Sequence, residues 1–172
     1  IYNREHPPGF RWLHESFGTN WRMTEMQAVL GRIQLTRMNK WTAKRQEYGA
    51  RLDQAASGFD CIRLVEVPEY SEHAEYKHYM FIKPEYLAEG WDRDRVVNTI
   101  VERGVPCFQG SCSEVYLEKA FDNTPWRPEK RLPNAVELGE TSIMFLVHPT
   151  LTEDEIAKTT QVMKEVFGLA SK

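Results

Sequence analysis

Apolar residues recur with helical spacing in the segment that begins at Thr24. They lie mainly three or four positions apart, which places them on one face of a helix: Met26, Val29, Leu30, Ile33, Met38 and Trp41. Thr24 and Gln27 have the spacing of a capping box, in which each side chain accepts a hydrogen bond from the other residue's backbone N–H. The pattern therefore predicts one long helix that runs from Thr24 to about Ser57.

Short strands and helices follow one another after residue 58. The apolar patterns predict strands over residues 61–67, 78–82, 105–108 and 141–147. They predict helices from Asp92 or Asp94 to Arg103, over 114–120 and 134–140, and from Thr152, with a capping-box Glu155, to Gly168. We predict an α+β domain over residues 58–172, in which one small, mostly antiparallel sheet is covered by helices.

The first 23 residues have a different character. Pro7, Pro8 and Gly9 exclude a regular helix there. Aromatic side chains are frequent in this segment, which predicts an arm that packs on another surface: Tyr2, Phe10, Trp12 and Phe17. That surface is either a missing part of the same polypeptide or a second subunit. The predicted organisation is an interface arm at 1–23, a linking helix at 24–57 and a small domain at 58–172.

Composition excludes several classes of function. The 22 basic and 25 acidic residues form no block of like charge, so we expect neither nucleic acid nor an anionic membrane as a partner. No apolar run approaches the roughly 18 residues of a membrane span, and no signal-peptide pattern is present. The three cysteines are an odd number and indicate free thiols, so we expect a cytoplasmic protein. The missing initiator Met suggests a chain cut from a longer one.

The residues supply no complete catalytic group. His73 with His78, and Cys107 with Cys112, do not match the spacing of metal ligands, so no metal site is predicted. The stretch 110–114 lacks the second glycine of a nucleophile elbow. There is no glycine-rich phosphate loop either. We therefore predict no catalytic residue in this chain.

Asn20 and Arg22 immediately precede the predicted long helix. Free N–H groups and the positive end of the helix dipole favour an anion at such a position. From these residues alone, a capped helix beside a solvated arginine is the simpler interpretation, and an anion site is the alternative.

The same stretch resembles a known family. Gly-x-Asn-x-Arg-Met-Thr-Glu-x-Gln-Ala over 18–28, followed by Gly31, Gln34 and Leu35, is similar to the segment that opens the C-terminal half of the DegT/DnrJ/EryC1/StrS family. Further similarities follow in family order at 76–79, 104–108, 132–135 and 148–152. The resemblance covers the chain from the arm to Val166.

The resemblance implies the C-terminal part of a fold-type I, pyridoxal-phosphate (PLP)-dependent sugar aminotransferase. Members act as homodimers and mostly transfer an amino group, here expected from glutamate, to nucleotide-linked keto-sugars in amino-sugar and polysaccharide biosynthesis. The lysine that binds PLP lies in the large N-terminal domain of the family, which is absent from this chain. Alone, the chain is expected to be inactive.

Site residues are also implied by the resemblance. Asn20 matches the asparagine that contacts the PLP phosphate of the partner subunit, and Arg22 would fix that segment or add charge. Gln109, Ser111, Cys112 and Ser113 match the loop beside the sugar-nucleotide cleft, although residues 110–116 replace the common Tyr-Pro-x-Pro-x-His stretch. Two alternatives remain: a non-catalytic oligomerisation module, and a sugar dehydratase of the same family in which the PLP-binding lysine is replaced.

Overall fold

The computed structural model describes residues 15–18 and 21–172. Within this part of the chain, the helices are α1 (Glu25–Ala56), α2 (Arg93–Glu102), α3 (Pro133–Thr141) and α4 (Glu153–Ala170). The strands are β1 (Ile62–Leu64), β2 (His78–Ile82), β3 (Cys107–Phe108) and β4 (Ser142–Phe145). Short 3-10 helices lie at Pro84–Tyr86, Val115–Leu117 and Lys119–Phe121.

The four strands form one antiparallel sheet in the order β1-β2-β4-β3. Strand β4 is one of the two inner strands, and all four of its residues are buried, so both of its faces are covered. Tyr79 of β2 and Phe108 of β3 both lie opposite Met144. The predicted fold class, a small α+β domain with an antiparallel sheet covered by helices, is confirmed.

One face of the sheet carries the hydrophobic core. Strand β2 alternates, so that His78, Met80 and Ile82 are buried between more accessible residues. The same core contains Ile143 and Phe145 of β4 and side chains from the second half of α1, from α2 and from α4. Helix α4 contributes side chains from one of its faces: Ile156, Val162, Met163 and Val166.

The opposite face of the sheet is covered by α3. Helix α3 contacts β2, and Arg63 of β1 forms an ion pair with Glu137 of α3 at 3.2 Å. The chain between β3 and α3 lies on this side as well, since the Ser113 hydroxyl donates to the Ala135 carbonyl at 2.6 Å. This long connection carries the segment that the sequence analysis associated with substrate.

Helix α1 is packed along only half of its length. From Tyr48 to its end it contributes five buried residues to the domain, whereas no residue from 25 to 40 is buried by the described part of the chain. The apolar stripe of the first half is therefore exposed, with 78% of Met26, 60% of Leu30 and 45% of Ile33 accessible. The periodicity predicted the helix, and no residue that the structure describes buries this face of its first half.

The signals that begin the helices are confirmed by their hydrogen bonds. Thr24 and Gln27 form a capping box, with the Thr24 N–H donating to the Gln27 side chain at 2.8 Å. Thr152 and Glu155 do the same at the start of α4. Of the two aspartates considered for α2, Asp92 is the cap, and its carboxylate accepts from the Arg95 N–H at 2.7 Å.

Some element predictions were wrong in their extent. Residues 65–67 lie beyond the last β1–β2 pair with Val65 and Val67 exposed, because no partner strand reaches them. The predicted helix at 114–120 is instead two 3-10 helices. Gly168 does not end α4, because the last turn is held by burial of Ala170, whose carbonyl accepts from the Ala88 N–H at 2.8 Å.

Candidate functional site

The loop 109–113 leaves β3 and is fixed to the domain by its first two residues. The Gln109 carbonyl accepts hydrogen bonds from the Ser142 hydroxyl at 2.8 Å and from Arg93 Nη1 at 3.3 Å. Gly110 has a positive φ of 83°, and a Cβ there would lie 2.6 Å from Ser142 Oγ. Only glycine combines this backbone conformation with such close approach at low cost.

The remaining residues of the loop face two different neighbours. Ser111 Oγ lies 2.7 Å from the hydroxyl of Tyr79 on β2, whereas Ser113 is tied to Ala135 at the start of α3. Cys112 is half-buried and its thiol is free. The structure thus places the predicted residues Gln109, Ser111, Cys112 and Ser113 in one anchored loop beside the sheet; whether they bind substrate stays a prediction.

A carboxylate that the sequence analysis missed follows this loop. Glu114 is buried, and both of its oxygens accept hydrogen bonds from Arg131, at 2.8 and 2.5 Å. The Tyr116 hydroxyl also donates to Glu114 at 2.7 Å and accepts from the Leu132 N–H at 2.9 Å. A buried carboxylate is stable only when its oxygens are paired. These bonds therefore hold the connection between the loop and α3 in one conformation.

Arg22 lies two residues before the cap of α1 and is exposed. It makes no hydrogen bond or ion pair with any residue that the structure describes, and none joins it to the loop 109–113. Asn20, the other predicted cofactor contact, lies outside the described residues. Arg22 is thus a cation without a partner among the described residues, beside a helix N-terminus, and such a position suits an anionic group.

The described part of the arm contacts the domain near the same connection. The ring of Phe17 packs edge-on against Phe121 and Trp126, with centroids 5.2 and 6.0 Å away. Lys119 lies 3.3 Å from Glu15. Phe17 thus packs on the domain of this same chain, whereas packing of the arm on a missing part of the polypeptide or on a second subunit stays a prediction. Tyr2, Phe10 and Trp12 lie outside the described residues.

His78 is the buried centre of a cluster of ionisable side chains. Its Nε2 lies 2.9 Å from Asp53 of α1, and its Nδ1 lies 3.0 Å from Glu75. Burial alone would lower the pKa of His78, but the two carboxylates outweigh it and raise the pKa to about 9. Burial has the opposite effect on an acid and would raise the pKa of Glu75, but His78 and His73 hold that pKa below its usual value.

The histidines and cysteines do not form a metal site within the described ranges. No group of three or more potential ligands has suitable geometry there, and both nitrogens of His78 are occupied by carboxylates. The cluster was not predicted, because its signal is only a histidine at an inward position of an alternating strand. No helix of the described chain is long and apolar enough to cross a membrane.

None of the lysines has the surroundings of a residue that binds a cofactor covalently. All nine lie in the described part of the chain, and none is buried. A lysine that acts as a nucleophile needs a lowered pKa, whereas hydrogen bonds from Lys44 to Glu153 and Glu47 raise the pKa of Lys44.

Comparison with protein families identifies the chain. A model described as the DegT/DnrJ/EryC1/StrS aminotransferase family matches residues 4–166. The chain belongs to this family. The resemblance found in the sequence is thereby confirmed, and it extends over almost the whole chain.

Individual relatives and solved structures differ in how similar they are to this chain. An aminotransferase from Psychrobacter cryohalolentis, solved by X-ray crystallography, is 58% identical and superposes with a TM-score of 0.78 over 97% of this chain and 44% of its own. The dTDP-3-amino-3,4,6-trideoxy-alpha-D-glucose transaminase of Streptomyces venezuelae is 24% identical over 90% of this chain and 38% of its own. The dTDP-4-dehydro-2,6-dideoxy-D-glucose 3-dehydratase of Saccharopolyspora spinosa is 22% identical over 96% and 36%.

The matched region is nearly the whole of this chain but a minor part of each relative. The relatives match nearly all of this chain, but the chain spans only 36–44% of their length. The activity of a whole family member is therefore not a property of the residues described above.

Proposed function

We propose that this chain is the C-terminal part of a PLP-dependent aminotransferase that transfers an amino group, from glutamate, to the keto carbon of a nucleotide-linked sugar. The proposal rests on one observation above all: a 58% identical aminotransferase matches 97% of this chain with only 44% of its own length. The remaining part would carry the PLP-binding lysine. Alone, this chain would be inactive.

Arg22 and Asn20 would contribute to cofactor binding. PLP, when bound, supplies an electron sink that stabilises negative charge next to the transferred nitrogen. Arg22 fits the phosphate of this cofactor, because it is a cation without a described partner beside the N-terminus of a 32-residue helix. By the family resemblance, Asn20 would contact the cofactor phosphate of the partner subunit in a homodimer, and Arg22 would fix that segment or add charge to the same site.

The loop 109–113 would line the substrate cleft. Its hydroxyl and amide groups are of the kind that bind sugar hydroxyls and phosphate oxygens. Its fixed backbone would keep these groups in place before substrate arrives, which reduces the entropy that binding costs. We expect the enzyme to work in the cytoplasm, where free cysteines such as Cys112 persist.

The exposed half of α1 would lie in an interface of the intact enzyme. Met26, Leu30 and Ile33 form an apolar stripe, and such a contiguous stripe is typical of a surface that another protein segment covers. We assign it to the upstream part of the same polypeptide and to the dimer contact. In the alternative, a non-catalytic oligomerisation module, the same stripe would form the contact between subunits.

A dehydratase of the same family is the second candidate. It is favoured by the similarity to the Saccharopolyspora spinosa dehydratase over 96% of this chain. The two reactions would differ at the upstream position of the PLP-binding lysine: lysine there favours amino transfer and histidine favours dehydration. A chain without such an upstream domain would favour the oligomerisation module.

A labelling experiment tests the division of roles. The 172-residue chain is incubated with PLP, reduced with borohydride and mapped by mass spectrometry. We expect sparse labelling spread over surface lysines. Stoichiometric labelling at a single lysine, for example Lys40, Lys44 or Lys77, would mean that the chain holds its own cofactor and would refute the proposal.

An activity assay tests the reaction. The full-length protein is incubated with glutamate and, in parallel, with dTDP- and UDP-linked 4-keto-sugars. Amino transfer predicts formation of 2-oxoglutarate and an amino-sugar in equal amounts. Loss of a sugar hydroxyl without consumption of glutamate would instead identify a dehydratase, and no reaction with any of these sugars would count against both.

A further inference from the structure

We propose that Arg93 and Asp94, at the start of α2, are positioning residues that orient Gln109 as a hydrogen-bond acceptor for a hydroxyl or N–H group of the nucleotide-sugar. This inference rests on the proposed function, because it takes the loop 109–113 as part of the substrate cleft. It assigns a role in substrate binding to Arg93, which the sequence did not single out, and to Asp94, which was considered only as a helix cap.

Arg93 connects three segments that meet behind the loop. Its side chain is only 9% exposed, and its Nη1 lies within hydrogen-bond distance of the carbonyls of Gln109 (3.3 Å), Gly139 (3.1 Å) and Ser142 (3.0 Å). These carbonyls belong to the loop, to α3 and to β4. A buried guanidinium needs such acceptors, because leaving its donors unpaired would cost several kcal/mol. The backbone of Gln109 is therefore tied to the centre of the sheet.

Asp94 fixes the side chain of the same glutamine. One oxygen of its carboxylate, Oδ1, accepts hydrogen bonds from Arg93 Nε at 2.6 Å and from Gln109 Nε2 at 2.8 Å. An ionised carboxylate has no donor, so only the NH2 end of the Gln109 amide can face it. Gln109 is thus held at both its main chain and its side chain.

The consequence is a defined orientation of the Gln109 carbonyl oxygen. With Nε2 committed to Asp94, Oε1 has no donor among the residues that the structure describes, and the side chain is half-exposed. An amide oxygen in this state accepts a hydrogen bond from a ligand hydroxyl or N–H. Without Asp94, the amide could turn over and offer either end, so the preference for an acceptor would be lost.

The Asp94 side chain is 56% exposed, so its replacement can be tested without unfolding the core. Asp94→Ala removes the acceptor, whereas Asp94→Asn keeps an oxygen that can still receive both donors. Arg93→Lys tests the buried half of the pair. Arg95→Lys is the matched control, because Arg95 lies on the same helix but donates to Gly90 and packs over Trp91.

In the full-length enzyme, we expect Asp94→Ala to raise KM for the nucleotide-sugar about tenfold, the effect of losing one oriented hydrogen bond. KM for the amino donor should not change, and Asp94→Asn should recover most of the loss. Arg95→Lys should match the wild type. Equal KM values in Asp94→Ala and wild type, or an equal rise for both substrates, would overturn the proposal.

A second measurement does not depend on the reaction. Hydrogen exchange of backbone amides at 109–113 is followed by mass spectrometry in the chain itself. We expect exchange there to be several times faster in Asp94→Ala and faster still in Arg93→Lys, with no change in Arg95→Lys. Unchanged exchange in both variants would refute the positioning role, even if the enzyme proved to act on another substrate. Faster exchange without any sugar turnover would refute only the proposed function.

Discussion

The stability of the domain should fall as pH rises, because of His78. The ring of this histidine is 4% exposed and lies between Asp53 of α1 and Glu75 of the preceding loop. Glu75 also contacts the half-exposed His73 at 3.1 Å. Deprotonation of His78 would leave two carboxylates facing a neutral ring, which weakens the attachment of the 68–77 loop to α1.

The size of the effect follows from the pKa. Despite the opposing effect of burial, the carboxylates raise the pKa of His78 from 6.5 to about 9. The folded chain then binds the proton more tightly than the unfolded chain, by about 3 kcal/mol. A raised pKa stabilises the fold fully below pH 6.5, and this contribution is lost as pH rises through 9. We expect the free energy of unfolding to decrease by about 3 kcal/mol between pH 6 and 9.

Urea unfolding at a series of pH values between 6 and 9 measures this decrease. His78→Gln should give a nearly constant free energy over the same interval, because it has no proton to lose. His148→Gln is the control, since the one hydrogen bond of the His148 ring in the described structure is with the hydroxyl of Thr150, and this variant should keep the wild-type slope. The interval ends at pH 9 because burial raises the pKa of Cys107 to about 12, which adds a further decrease above that pH.

Parallel curves for wild type and His78→Gln from pH 6 to 9 would refute this reasoning. They would mean that the cluster does not hold an extra proton in the folded state. A wild-type curve that rises with pH would contradict the sign as well as the size.

Three further predictions concern the loop, the core and the exposed helix. Gly110→Ala should lower the free energy of unfolding by about 1–2 kcal/mol, because alanine at a φ of 83° would approach the Ser142 hydroxyl too closely. Phe145→Ala should cost about 3–5 kcal/mol, because this ring is fully buried, whereas Phe108→Ala, at a 43% exposed edge, should cost less than about 1 kcal/mol. Leu30→Lys should shift the isolated chain towards monomer in sedimentation velocity, because it breaks the exposed apolar stripe of α1.

Each of these predictions has a contrary outcome. An unchanged unfolding midpoint for Gly110→Ala would mean that the loop relaxes without cost. Equal losses for the two phenylalanine variants would contradict the assignment of the core to one face of the sheet. A wild-type chain that stays monomeric at every concentration would contradict self-association through the stripe.

Elements that have both a periodic pattern and a local end signal were predicted well from the sequence. Helices α1 and α4 begin at Thr24 and Thr152, each with the expected capping box. Local signals failed where distant contacts decide. Helix α4 passes through Gly168 because its last turn is buried.

The site was less accessible to sequence reasoning. Residues 109–113 were selected by the family resemblance and not by their chemistry. Arg93 gave no signal, because its acceptors include backbone carbonyls 46 and 49 residues further along the chain. Every residue has a backbone carbonyl, so no sequence pattern indicates which carbonyls will accept hydrogen bonds from a buried arginine.

The long helix also has a mechanical consequence. Helix α1 contains no proline and is continuous from Glu25 to Ala56, with its second half fixed in the core of the domain. The sixteen residues that extend beyond this anchor form a rigid arm of roughly 24 Å. A tilt of the domain by about 5° would swing the far end of this arm, next to Arg22, by roughly 2 Å. A shift of that size is larger than the range of distances over which a hydrogen bond persists. Movement of the small domain and the position of Arg22 are therefore geometrically coupled through helix α1.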